Sequence, residues 1–143
     1  MIINEEVTNS ALLDTLAAYK SKGFSVLMDL TAIHQVPEFA VYYLLHNPET
    51  LQRLHIVCRV ADGGSLPSVI SLYEGANWYE RELYDMFGLT FMGHPDLTRI
   101  LMPDDWQGHP LRKDFALMEE PVQFKHGREP KVPSEVIPYV KAR

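Results

Sequence analysis

Three stretches of alternating apolar residues most constrain what this chain can fold into. They are FSVLMDLTAI from residue 24, FAVYYLLH from residue 39 and LQRLHIVCRV from residue 51. Alternation places every second side chain on one face of a β-strand. The predicted buried sets are Phe24, Val26, Met28 and Leu30, then Phe39, Val41, Tyr43 and Leu45, then Leu54, Ile56, Cys58 and Val60. The short links contain Pro37 and Asn47-Pro48, which favours an antiparallel meander.

A helix is predicted before these strands. The segment SALLDTLAAYKSKG, residues 10–23, places its apolar side chains on one helical face, namely Leu12, Leu13, Leu16 and Ala17. Ser10 or Asn9 could cap its start, and Gly23 suits the position beyond its end. A helix packed on an antiparallel sheet is an α+β arrangement.

A second helix is predicted over residues 78–87, within NWYERELYDMFG. Asn77 is a good N-cap, Glu80 stands three residues later as in a capping box, and Gly88 suits a left-handed residue after the last turn. The buried arc would hold Tyr79, Leu83, Met86 and Phe87, and the charged arc on the far side would hold Arg81 and Asp85.

After Phe91 the periodicity fades, and residues 93–143 hold most of the ten prolines of the chain. Only TRILM, residues 98–102, predicts a short strand. About fifty residues with so little regular structure exceed what a compact domain usually carries as loop, unless they lie against something else. We therefore expect an α+β domain over residues 1–115 and, over residues 116–143, an extended tail that docks on a partner subunit.

Composition excludes several classes of protein. Thirteen Lys and Arg against nineteen Asp and Glu give a net charge of −6, which is the wrong sign for a nucleic-acid binder. No apolar run approaches the roughly 20 residues of a membrane span, and MIINEEVTNS lacks the features of a signal peptide, so we expect a cytoplasmic protein. Cys58, the only cysteine and by pattern a core residue, cannot form an intrachain disulfide or hold an iron–sulfur cluster by itself.

The stretch GHPDLTRILMPDDWQGHP, residues 93–110, contains Gly-His-Pro twice and could be read as a metal site. Its candidate ligands are His94, Asp96, Asp104, Asp105 and His109. Their spacing matches no compact metal motif, whereas glycine and proline around each histidine are typical of turns. Turns are therefore favoured, and a metal-dependent hydrolase that uses His94 and His109 is kept as an alternative.

The remaining charged and aromatic residues also favour a docking domain over an enzyme. Glu80 and Glu82 would point about 160° apart on a helix and could not share a substrate, so Glu80 either caps the helix or pairs with a partner subunit. Trp78 and Trp106 are by default packing anchors, although an exposed tryptophan would suit the centre of an interface. The run Arg112, Lys113 and Asp114 is expected to be solvated. Neither the nucleophile motif G-x-S-x-G nor a phosphate-binding glycine loop occurs.

Residues 76–115, ANWYERELYDMFGLTFMGHPDLTRILMPDDWQGHPLRKDF, closely resemble the signature region of the 30-kDa subunit of respiratory complex I. The shared features are Glu-Arg-Glu, Asp-x-Phe-Gly, both Gly-His-Pro triplets, Arg-Ile-Leu and Leu-Arg-Lys-Asp. Upstream, VLMDLTAI, VYYLL and PSVISLYEGANWYERE are similar to the strands of the family and the start of its helix.

The resemblance implies a non-catalytic subunit in the hydrophilic arm of an NADH:quinone oxidoreductase, an assembly that couples electron transfer to proton translocation. It implies no cofactor in this chain, with FMN, iron–sulfur clusters, NADH and quinone bound by partner subunits. It implies contacts with the 49-kDa-like subunit, which lines the quinone pocket, and with neighbouring iron–sulfur subunits. The signature residues assigned to such an interface are Glu80, Arg81, Glu82, Asp85, Phe87, Gly88, His94, Pro95, Asp96, Arg99, Asp105, Trp106, His109, Pro110, Arg112, Lys113 and Asp114.

Related chains occur in membrane-bound hydrogenases, in the F420H2 dehydrogenase of archaea and in photosynthetic plastoquinone-reducing complexes. The sequence does not separate these assemblies. Because the chain lacks a basic presequence, we expect a bacterial or archaeal protein, peripheral to the cytoplasmic face of the membrane and attached to it only through the complex.

Overall fold

The computed structural model describes residues 2–115. In chain order the elements are β1 (Ile2–Val7), a 3-10 turn (Asn9–Ala11), α1 (Leu12–Ser21), β2 (Val26–Gln35), β3 (Glu38–His46), β4 (Arg53–Ala61), β5 (Ser65–Pro67), α2 (Ala76–Phe87) and β6 (Thr90–Met92). The predicted tail, residues 116–143, lies outside the described residues. Neither helix of the described part is long and apolar enough to cross a membrane.

Four strands form one sheet in the order β1-β4-β3-β2. The meander β2-β3-β4 is antiparallel, as predicted, and β1 pairs with β4 in parallel. Strands β5 and β6 form a separate parallel pair. The prediction of an α+β fold with a mainly antiparallel sheet is confirmed. Strand β1 is not predicted from the sequence, and it is tied to α1 by a hydrogen bond that the Tyr19 hydroxyl donates to the Glu5 carboxylate.

The predicted buried faces of β3 and β4 are confirmed, since all eight of their apolar side chains are buried. The prediction for β2 is wrong at Val26 and Met28, which are exposed. The register of β2 against β3 shifts between Leu27 and Asp29, so that Met28 is an extra residue. A bulge of this kind reverses which side chains face the core. Beyond it, the buried residues are Leu30, Ala32 and His34.

Both helices pack on the same face of the sheet. Leu12 and Leu16 of α1, and Leu83 and Phe87 of α2, belong to one buried cluster that contains the apolar side chains of β3 and β4. The opposite face of the sheet carries the alternate, more exposed residues. The core therefore lies between one layer of helices and one layer of strands.

The start of α1 differs from the prediction. Ala11 is its N-cap and no side chain caps it. The Asn9 amide instead donates to the Ser65 carbonyl, 2.7 Å away, and the Ser10 hydroxyl pairs with that of Thr8. A 3-10 turn precedes the helix and uses these residues before the helix begins. The predicted end is confirmed, because Gly23 has a φ of +96°.

Candidate functional site

The segment that follows β6 lies along helix α2, and we call residues 93–112 the α2 strap. Polar contacts recur between residues 17 positions apart, pairing Asn77 with His94, Arg81 with Thr98 and Asp85 with Met102. Four residues advance about 6 Å in a helix but about 13 Å when extended. The strap can follow the helix at this spacing only because it is folded into turns, which shorten its advance per residue. The short strand predicted at 98–102 is therefore wrong.

Asp85 is the centre of these contacts, and its side chain is fully buried. One carboxylate oxygen accepts hydrogen bonds from the backbone N–H groups of Ile100, Leu101 and Met102 at 3.1, 2.7 and 2.9 Å. The other accepts from Arg99 at 2.8 Å. Burial by itself would raise the pKa of Asp85, but these four donors hold it below its usual value of 3.8. Asp85 is thus a charged internal anchor, not part of a solvent-facing arc.

Arg99 extends this anchor to the second Gly-His-Pro triplet. Its Nη1 pairs with Asp85, and its Nη2 donates to the Gly108 carbonyl at 3.0 Å. The guanidinium therefore joins the helix to both halves of the strap. Its charge compensates that of the buried carboxylate, which is what a buried acidic group requires.

His94, in the first triplet, fixes the beginning of the strap to the beginning of α2. Its Nδ1 accepts a hydrogen bond from the Asp96 backbone N–H at 3.0 Å. The ring proton must then lie on Nε2, which is 3.3 Å from the Asn77 carbonyl and donates to it. The predicted turn role of this histidine is confirmed.

His109, in the second triplet, fixes the strap to the end of α2. Its Nδ1 donates to the Asp85 carbonyl at 2.9 Å. The Leu111 backbone N–H donates to the Met86 carbonyl at 3.0 Å, and Arg112 donates to the Phe87 carbonyl at 3.4 Å. The last carbonyls of a helix have no partner within it. The second triplet and the residues after it supply those partners.

The two histidines therefore contact opposite ends of α2. Their helix partners, Asn77 and Asp85, are eight residues apart, which corresponds to about 12 Å along the axis. Among residues 2–115 no group of three or more metal-ligating side chains comes together. The alternative of a metal-dependent hydrolase built on His94 and His109 lacks its site in the part of the chain that the structure describes.

Gly88 ends α2 in the left-handed conformation, with a φ of +75°, as predicted. A Cβ atom there would come within 2.7 Å of the His109 ring. We expect Gly88→Ala to destabilise the full chain by about 1–2 kcal/mol from the backbone alone, with a further cost for moving the ring. Urea unfolding followed by circular dichroism measures this. Gly63→Ala is the matched control: its φ is +76° with nothing near the added Cβ, so an equal loss in both variants would argue against the close approach of His109.

Glu80 does not have the capping role predicted for it on the helix. Because α2 begins at Ala76, with Gly75 as the N-cap, Glu80 lies too far inside the helix to form a capping box. Its buried carboxylate accepts from the Ser68 hydroxyl and the Val69 N–H, both at 2.7 Å, and so holds the segment after β5 against α2. Burial raises its pKa above 4.5, although both hydrogen bonds act in the opposite direction. Glu82 is exposed, so the predicted divergence of the two carboxylates is confirmed.

Arg112 is not a solvated charge as predicted. Its guanidinium lies 5.5 Å from the Phe39 ring and pairs with Asp62 and Asp114, at 2.5–3.0 Å. These pairs lower the pKa of each aspartate. The sequence does not indicate the contact with Asp62, which is 50 residues away, or that with His34, whose Nδ1 accepts from the Lys113 N–H at 3.0 Å. Neither contact has a local sequence signal.

The remaining signature residues divide by exposure. Trp78 is 63% exposed, so its prediction as a packing anchor is wrong, and the Arg81 guanidinium lies 5.1 Å from its ring. Trp106 is half-buried in a turn closed by its backbone N–H and the Pro103 carbonyl. Phe87 is buried and Pro110 half-buried, whereas the exposed members are Pro95, Asp96, Asp105, Lys113 and Asp114.

The comparison with known families agrees with this arrangement of residues. The family model described as "Respiratory-chain NADH dehydrogenase, 30 Kd subunit" matches residues 5–121. The chain belongs to this family. The match includes both helices, the whole α2 strap and all of the sheet except the first three residues of β1, so the resemblance inferred from residues 76–115 is confirmed and extends over the fold.

Curated relatives of this 30-kDa-family chain are NADH-quinone oxidoreductase subunits. The subunit from Geobacter metallireducens is 43% identical over 115 residues, which cover 77% of this chain and 67% of the relative. The one from Thermus thermophilus is 39% identical over 131 residues, or 80% of this chain and 62% of the relative. The match to the subunit from a Nocardioides species is 50% identical over 95 residues, but spans only 36% of that protein. The chain thus spans about a third of the length of some relatives.

Two solved structures share the fold of this 30-kDa-family chain. The trypsin-resistant fragment 1–134 of Nqo5 has a TM-score of 0.63 and 33% identity, covering 67% of this chain and 83% of the fragment. A chain of the membrane-bound sulfane sulfur reductase, an archaeal respiratory membrane complex, has a TM-score of 0.76 and 27% identity, covering 82% and 73%. Related chains are therefore subunits of multi-subunit respiratory assemblies.

Proposed function

We propose that this chain is a non-catalytic structural subunit in the hydrophilic arm of a complex I-like NADH:quinone oxidoreductase. The observation that carries the proposal is that ionisable side chains of the family signature are bound by groups of the same chain. Its buried or half-buried ionisable groups, Glu80, Asp85, Arg99 and His109, bind helix ends, backbone groups and one another within the chain. Such contacts fix the shape of a surface. They support a role in holding partners rather than in reacting with a substrate.

In this role the α2 strap and the exposed α2 residues Trp78 and Glu82 would hold the 49-kDa-like subunit and neighbouring iron–sulfur subunits in place. FMN, iron–sulfur clusters, NADH and quinone would all be bound by those partners and none by this chain. The chain would sit on the cytoplasmic face of the membrane, attached through the complex. Electron transfer between clusters depends steeply on distance, so a loose scaffold would lower turnover without removing a redox group.

A second candidate is the equivalent subunit of a related membrane complex with a different electron donor, such as a membrane-bound hydrogenase, an F420H2 dehydrogenase or a plastoquinone-reducing complex. The observation that favours it is the TM-score of 0.76 with a chain of an archaeal sulfane sulfur reductase. Because the same scaffold serves different assemblies, fold alone does not choose the donor.

Purification of the tagged full-length chain from source membranes in mild detergent tests both candidates. We expect flavin and iron–sulfur subunits and a 49-kDa-like subunit to co-purify, with NADH:quinone reductase activity in the preparation. Deleting the chain should abolish that activity through failed assembly. Companions of the hydrogenase or F420H2 type would favour the second candidate. A chain recovered alone, with quinone reduction unaffected by its deletion, would contradict both.

A further inference from the structure

One line of helix α2 is covered neither by the core nor by the strap. The strap covers the line of Asn77, Arg81 and Asp85. About 100° further round the helix lie Trp78 and Glu82, one turn apart and both exposed. We call this line, together with the exposed Leu101 and the exposed carboxylates of strap residues 96–105, the outer α2 surface. Its members are Trp78, Glu82, Asp96, Leu101, Asp104 and Asp105.

The two parts of the outer α2 surface are held together by Arg81. Its guanidinium lies 5.1 Å from the Trp78 ring and donates to the Thr98 hydroxyl at 2.9 Å. The indole is therefore fixed beside the strap. Leu101 is 59% exposed, yet its backbone N–H is bound to Asp85 at 2.7 Å. Two large apolar side chains thus face outward from a rigid frame, and little conformational entropy would be lost if a partner covered them.

The charges of this surface are mainly negative. Over residues 76–112, Arg99 pairs with Asp85 and Arg112 with Asp62, whereas Arg81 binds neutral groups of the strap and keeps its positive charge beside Trp78. There is no lysine in this range. The exposed carboxylates form no salt bridge with any residue of the described range 2–115, and they are Glu82, Asp96, Asp104 and Asp105. The outer α2 surface therefore has two exposed apolar side chains and, with four carboxylates against the Arg81 guanidinium, a net negative charge.

We propose that the outer α2 surface docks a partner subunit that presents lysine and arginine side chains around an apolar pocket for Trp78. Interfaces are commonly centred on a buried tryptophan, with charges at the rim that steer association and select the partner. The inference rests on the proposed function and adds the chemistry of the partner. It also divides the residues of the family signature into two groups. The buried residues form the rigid frame, and the exposed residues contact the partner subunit.

Charge-reversal substitutions, studied in the assembled complex, test whether the partner surface is positively charged. In the full-length tagged chain, Glu82→Lys with Asp96→Lys should reduce retention in the detergent-solubilised complex about tenfold at physiological salt, because like charges would then face each other. Asp14→Lys with Glu49→Lys is the matched control, since both carboxylates are exposed on other parts of the chain and the charge change is the same. Retention of the Glu82/Asp96 variant equal to that of the control would overturn the proposal.

A cross-link identifies the surface that the partner presents. A photoreactive phenylalanine analogue replaces Trp78 in the full chain, and the linked peptide is sequenced after irradiation of the intact complex. We expect a partner peptide with lysine or arginine close to apolar residues. A peptide without basic residues, or no link in a complex that contains the chain, would overturn the proposal while leaving the proposed function intact. Absence of the chain from any complex would instead overturn both.

Discussion

Replacing Asp85 with alanine should lower the free energy of unfolding of the full chain by about 3–5 kcal/mol. The substitution leaves the Arg99 guanidinium without its carboxylate and removes the acceptor shared by three backbone N–H groups. Donors buried without partners cost their full desolvation energy. Urea unfolding at neutral pH, followed by circular dichroism, measures the loss. The strap should also become accessible to proteases between residues 96 and 107.

Two comparisons make this prediction specific. Glu82→Ala removes an exposed carboxylate from the same helix and should change stability by no more than about 0.5 kcal/mol. The pH dependence gives a second check, because the folded pKa of Asp85 lies below its ordinary value. The contribution of the Asp85 carboxylate to the free energy of unfolding is complete above about pH 4 and is lost as pH falls further. An Asp85→Ala variant as stable as Glu82→Ala would show that the strap does not depend on this carboxylate.

How far the sequence predicts this fold depends on whether the information is local. Alternation in β3 and β4 identifies the buried side chains correctly, because the strands are regular and one face is covered. The same alternation misleads in β2, where the extra residue Met28 shifts the register. Strand β1 is missed for a different reason. Its pairing with β4 joins residues about fifty positions apart, and no neighbouring residue indicates it.

Helix α2 shows the same division within the candidate site. The helical spacing of its apolar residues correctly predicts that Leu83, Met86 and Phe87 are buried. The period also separates Arg81 and Asp85 from that arc, but it carries no information about a later segment that covers them. The strap buries Asp85 completely and covers Arg81 in part, so the predicted charged surface is interior at Asp85. The family signature marked these residues as important without indicating which of them face inward.

The apparent capping box at Asn77 and Glu80 fails because the helix starts earlier. Backbone N–H groups of Ala76 and Asn77 already bond to the Tyr73 and Glu74 carbonyls, which extends the first turn backward. A capping box requires its acidic residue at the third helical position. Glu80 is then free to reach the segment after β5. This contact joins residues 11 and 12 positions apart and depends on how the connection folds back on the helix.

Glu80 should respond to pH in the opposite direction from Asp85. Burial raises its folded pKa above 4.5, so the folded state holds this proton more tightly than the unfolded chain does. Its contribution to stability is complete below the unfolded pKa and is lost as pH rises through the folded pKa. Glu80→Gln keeps an acceptor for the Val69 N–H and can donate to the Ser68 hydroxyl oxygen. We expect this variant to gain stability over the wild type as pH rises from 4.5 to 8.

Glu80→Ala separates the charge from the hydrogen bonds. It leaves the Val69 N–H without its acceptor, so we expect a loss of about 2–3 kcal/mol near pH 4.5, where Glu80→Gln should match the wild type. Urea unfolding of both variants and the wild type across this pH range provides the measurement. If Glu80→Gln loses as much as Glu80→Ala at pH 8, the carboxylate charge itself stabilises the fold, and the direction assigned to its pKa is wrong. If only Glu80→Ala is unstable, Asp85 and Glu80 make the stability of the fold depend on pH in opposite directions. The physical reason is the number and charge of their donors, because Asp85 has four donors including a cation and Glu80 has two neutral donors.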